Sequence, residues 1–108
     1  METRDYRNQT LALASMVEYA EGSVVSRTIL DRKVGTLTLF AFAQGQGLSE
    51  HTAPFDATVQ VLEGEGQFTV GGEPRRVRAG EALIMPSGIP HSVRALQPFK
   101  MLLIMIRG

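Results

Sequence analysis

"EHTAPFDATVQVLEGEG", residues 50–66, joins three signals in one short span. A lone histidine, His51, stands at its head. Asp56 follows, and then "ATVQVL" alternates small or β-branched apolar residues with polar ones before a glycine-punctuated turn at 64–66. Alternation of this kind places every second side chain on one sheet face, so the segment predicts a half-buried strand running into a tight turn. A second stretch, "GEALIMPSGIPHSVRA" at 80–95, repeats the pattern: a glycine turn, a short apolar run, a proline/glycine loop, then a histidine opening another alternating segment.

Working outward, the rest of the chain divides in the same way. Turn signals fall at Gly22, Gly35, Gly45–Gly47, Gly71–Gly72 and Gly80, too close together for successive helices. Between them lie "SVVSRTIL", "TLTLFAFA", "QFTV", "RRVRA" and "FKMLLIMI", each of strand length. Regularly spaced short strands predict an all-β sandwich or barrel. Two of them are apolar on both faces: "TLTLFAFA" sets leucine and alanine against phenylalanine, and "FKMLLIMI" hardly alternates at all. Strands covered on both sides read this way. A second copy of the chain is the expected cover, which predicts a homodimer. Residues 1–22 form an N-terminal cover segment, undecided between strand and helical turn over 10–19. The paired glycines 71 and 72 suit a two-residue hairpin.

Composition narrows the function classes. With 108 residues the chain is expected to form one domain. Eleven basic residues balance eleven acidic ones, which gives no field favouring nucleic acid or an anionic membrane. The arginines at 75, 76 and 78 make a short basic patch that could attract an anionic ligand. Without cysteine there is no disulfide framework, thiolate zinc site or cysteine nucleophile. The longest apolar run, residues 101–106, is far short of the roughly twenty residues of a membrane helix. The first ten residues lack a signal-peptide core, so a soluble, cytoplasmic protein is expected.

Both histidine-bearing stretches resemble the two motifs of the cupin superfamily, small double-stranded β-helix or jelly-roll barrels. In the first motif, spanning 45–64, Gly45, His51 and Gly64 stand at the family's intervals. In the second, spanning 80–95, Gly80, Pro86, Gly88 and His91 do the same. The resemblance implies a jelly-roll barrel whose metal ligands point inward. The chain departs from it at three positions: Ala53 replaces the second histidine, Ala57 the glutamate and Ala95 the closing asparagine.

Two of four ligands therefore persist. By the resemblance His51 and His91 would hold a divalent metal such as zinc, iron, manganese, nickel or copper. Two neutral imidazoles bind weakly without a third donor. Asp56 and Gln60 are the oxygen candidates for that pocket, and Met85 could add a thioether favouring copper. Three readings follow. The chain is a metal-dependent enzyme, or a metal-free binder or sensor of a small-molecule ligand in an interior pocket at His51 and His91, or a non-catalytic dimeric interaction module. Catalysis stays open at this point.

Overall fold

The structure, a computed structural model, describes residues 4–107. A single 3-10 turn, Leu13–Ser15, precedes nine strands. These are β1 (Val24–Arg32), β2 (Gly35–Phe42), β3 (Gly47–His51), β4 (Asp56–Glu63), β5 (Glu65–Val70), β6 (Glu73–Arg78), β7 (Ala82–Met85), β8 (His91–Ala95) and β9 (Phe99–Ile106). They form a five-stranded sheet of order β1-β2-β9-β4-β7 and a four-stranded sheet of order β3-β8-β5-β6. Every pairing is antiparallel. The all-β fold expected from the strand spacing is therefore present, in the two-sheet jelly-roll form that the resemblance implies.

One strand has no counterpart in the sequence reading. β3, "GLSEH", carries a single large apolar residue, Leu48, and no β-branched side chain, so composition does not mark it. Backbone pairing with β8 makes it a strand nonetheless.

The core between the sheets follows the alternation. Ala57, Val59 and Val61 of β4 point inward, as do Phe68 of β5, Val77 of β6, Met85 of β7, and Val93 and Ala95 of β8. Phe42 and Phe99 lie opposite each other on β2 and β9, and their rings stack at 4.6 Å with an interplanar angle of 2°. Phe68 meets Phe99 edge-on at 6.0 Å. The three phenylalanines are fully buried. Close approach of this kind needs an absent side chain: a Cβ on Gly66 would lie 2.7 Å from the tip of the Phe99 ring. The β5–β6 hairpin turns on Gly71 and Gly72, with φ of +57° and +83°, the doubly left-handed pair that a two-residue turn of this hand requires.

On the opposite face of the five-stranded sheet, part of the cover comes from the chain itself. Leu37, Leu39 and Ala41 of β2 and Leu102 and Ile104 of β9 pack against Tyr6, Leu11, Leu13, Met16 and Val17 of the chain's own N-terminal segment. Farther along the same face Ile84 and Ile106 stay 66% and 60% exposed. A long-range polar contact fastens the N-terminal segment. Lys100, on the same outward face of β9, is 7% exposed, and its Nζ donates to the Ala14 carbonyl at 2.6 Å. That ammonium also lies 3.9 Å from Glu63 and 5.0 Å over the Tyr19 ring, while the Tyr19 hydroxyl donates to Glu63 at 2.5 Å. Partial burial, then the hydrogen bond to the Glu63 carboxylate, pushes the Tyr19 hydroxyl above its ordinary range. The Tyr19 hydroxyl therefore keeps its proton, and its bond to Glu63, at neutral pH.

A histidine pair on the inward face of the four-stranded sheet

β3 and β8 bring the two histidines together. Leu48 pairs with Val93 and His51 pairs with His91, so three steps along β3 match two along β8. The extra residue is a bulge at Ser49 and Glu50. Without it His51 would fall out of phase with Leu48 and project to the other side. With it, His51 shares the face of Leu48, His91 and Val93, which shows how a bulge re-aims a side chain. Phase counting from the alternating residues alone gives no sign of this shift.

The two rings stand 4.3 Å apart, centroid to centroid, at 70°. His91 is 5% exposed, whereas His51 lies open at the surface, so the pair forms a step from solvent to interior. In each ring Nδ1 faces a backbone carbonyl two residues earlier: Ser49 at 2.8 Å for His51 and Ile89 at 3.2 Å for His91. A carbonyl only accepts, so each Nδ1 carries the hydrogen and each neutral ring keeps its lone pair on Nε2. Neither Nε2 has a hydrogen-bond partner among the described residues.

The loop before His91 is held from the β4 side. Asp56 accepts from the Ser87 backbone N–H at 2.8 Å, and the Ala53 carbonyl accepts from Gly88 at 2.9 Å. At the other end of the loop, the Pro90 carbonyl accepts from Gly71. Asp56 is thus a positioning group and not a third donor beside the imidazoles. Removing its carboxylate with Asp56→Ala should cost about 1–3 kcal/mol, the range for a hydrogen bond to a charged acceptor. It should also broaden the His91 ring resonances in an NMR spectrum while leaving those of residues in β1 and β2 sharp.

The remaining sequence candidates separate. Met85 is 2% exposed and stands directly opposite Ala57, as part of the apolar wall. Gln60 lies on the other face of β4, exposed between Val59 and Val61, which are fully buried inward. The β4 phase is set by Ala57, Val59 and Val61, and it turns Gln60 away from the histidines. Among the described residues no group of three or more His, Cys, Asp or Glu side chains converges on one point. The ligand corners vacated in the sequence are filled by Ala53 and Ala57, which offer only methyl groups. This donor set does not fit a four-coordinate resident metal of the kind the resemblance implies. Surface grooves lie elsewhere, two of them beside sheet edges and faces described above. One, of about 390 Å³, runs along the outward face of the four-stranded sheet; the other, of about 340 Å³ and apolar, lies between the β1–β2 turn and the end of β9.

Comparison with known proteins agrees with this architecture. The family model for the Cupin domain matches residues 38–106. A conserved protein of unknown function, SPY1581 from Streptococcus pyogenes, is 32% identical over 99% of this chain and 93% of its own, with a TM-score of 0.90. A cupin 2 conserved barrel domain protein from Leptotrichia buccalis is 42% identical over 90% of this chain and 47% of its own, with a TM-score of 0.87. A cupin superfamily protein from Desulfitobacterium hafniense is 27% identical over 96% and 95%, with a TM-score of 0.89. No curated protein matches.

Proposed function

Because this chain belongs to the cupin family while two of the family's four ligand positions are alanine, we propose that it binds a small organic acid at the His51/His91 pair without a resident metal. The observation that carries this reading is the pair of rings 4.3 Å apart, each fixed in orientation through its Nδ1 and each with Nε2 unpartnered among the described residues. Acceptors without a donor call for a ligand that brings a proton. A carboxylic acid or phenol does so.

A carboxylate arriving from neutral solution has no proton to give, so its binding draws one from the buffer onto an Nε2 and leaves an imidazolium–carboxylate pair. Calorimetric titration with benzoate, repeated in buffers of different ionisation enthalpy, should therefore show uptake of about one proton per molecule bound. His51→Ala and His91→Ala should each weaken binding at least about tenfold, or roughly 1.4 kcal/mol. Benzoate and phenol binding equally well to both variants would end this reading. A different result, one zinc or nickel ion per chain bound at micromolar concentration and lost in the same two variants, would replace it with a metal site completed by an exogenous ligand. The Nδ1-to-carbonyl bonds are the feature that favours that second reading, since they also orient metal-ligating imidazoles.

A further inference from the structure

The face of the four-stranded sheet turned away from the histidines is polar and lopsided in charge. Register fixes its pattern: Arg94 on β8 and Arg76 on β6 both lie directly opposite Gln67 of β5, and Ser92 lies opposite Thr69 in the next row. The inward positions of these strands belong to Val77, Phe68 and Val93, which puts Arg76, Gln67 and Arg94 together on the outward side. Ser49, Gln67, Thr69, Ser92 and Arg94 line the groove of about 390 Å³ that runs along this face.

The cations on this face are not equivalent. Arg78 is paired with Glu65 at 3.0 Å, and Arg75, which belongs to the other face, pairs with Glu73 at 2.7 Å. Among the described residues Arg76 and Arg94 have no carboxylate partner, and the side chains of Gln67, Thr69, Ser92 and Ser49 make no hydrogen bonds. With strands spaced about 4.8 Å apart, the Arg76 and Arg94 backbones lie roughly 10 Å apart with Gln67 midway. Two flexible guanidinium forks at that separation can close on one group above the Gln67 amide. Two uncompensated positive charges, an amide and hydroxyls match a doubly charged, oxygen-rich anion better than a singly charged one.

We propose that this outward face is a binding site for a phosphomonoester, held by Arg76 and Arg94 across Gln67. A phosphomonoester carries close to two negative charges at neutral pH and three acceptor oxygens, the complement of this row. The hydroxyls of Thr69, Ser92 and Ser49 extend from it along the groove and would meet the esterified part of the ligand. The site is separate from the histidine pair, because the sheet itself lies between them.

Amide NMR on the intact protein tests this at constant ionic strength, with inorganic phosphate, methyl phosphate, acetate and chloride as probes. Saturable shifts confined to Gln67, Ser92, Arg94 and their neighbours are expected with both phosphates at millimolar concentration, and acetate should bind at least about tenfold more weakly. The double variant R76Q/R94Q should lose at least about tenfold in phosphate affinity. Its melting temperature should hold and its imidazole signals should stay in place, since both side chains are exposed. Shifts that follow ionic strength whatever the anion, a response to inorganic phosphate without one to methyl phosphate, or unchanged binding by the double variant would each overturn the proposal.

Discussion

Replacing Phe99 with alanine should destabilise the fold by about 3–5 kcal/mol, the range for emptying a buried aromatic site. For a domain of this size that corresponds to a drop in Tm of roughly 12 °C or more. It is also a large share of the about 5–15 kcal/mol that holds a typical domain folded. The expected size follows from position: the ring is fully buried, stacked on Phe42, met edge-on by Phe68, and laid against Gly66. Phe42 is itself held by β2 pairing, and Val61 and Val93 are fixed in their strands. Gly66→Ala offers the converse test. Its new methyl would meet the Phe99 ring at 2.7 Å and should cost about 1–3 kcal/mol in the parent, but clearly less when Phe99 is already leucine. A Phe99→Ala protein melting within a few degrees of the parent would show that the aromatic cluster is not the centre of the core.

Lys100→Ala is the second change with a large expected effect. The ammonium is enclosed by the Ala14 carbonyl, the Glu63 carboxylate and the Tyr19 ring, and all three lose their partner together. A hydrogen bond to a charged group contributes about 1.5–3 kcal/mol, and loss of the packed side-chain stem adds to it. Lys100→Met, which keeps most of the stem, should recover part of the loss. The consequence extends beyond stability. Once the N-terminal segment loosens, Leu37, Leu39, Leu102 and Ile104 become an exposed apolar strip on two neighbouring strands, so the alanine variant should also self-associate more than the parent in sedimentation experiments at equal concentration. A Lys100→Ala protein as stable as the parent, with unchanged sedimentation, would mean that the segment is held by apolar packing alone.

Much of this architecture is legible in the residues because it depends on local rules. Ala57, Val59 and Val61 announce the β4 phase, the double glycine at 71 and 72 announces its hairpin, and the intervals around His51 and His91 mark both histidines as one site, although the two share a sheet on paired strands and do not face each other from opposite sheets. What escapes the sequence is set by contacts between distant segments. β3 is a strand only because β8 lies beside it, and the bulge that turns His51 inward is visible in pairing register but not in composition. The two-faced apolarity of β2 and β9 correctly signals a cover, but the pattern cannot say whose residues supply it. The ones that do, Leu11, Leu13, Met16 and Val17, sit on an irregular segment with neither a helical nor a strand period. Asp56 shows the same limit at the site, since it is occupied by the Ser87 amide, a partner 31 residues away.

The central claim is that His51 and His91 form one unit, with their rings in contact, both Nδ1 atoms protonated toward the backbone and both Nε2 atoms free of partners among the described residues. Imidazole nitrogen NMR in mildly alkaline buffer, where free imidazole is neutral, reads this directly. The account predicts the Nδ1–H tautomer for both rings, with contacts between their ring protons. A hydrogen on either Nε2, or two rings with no contact between them, would contradict it.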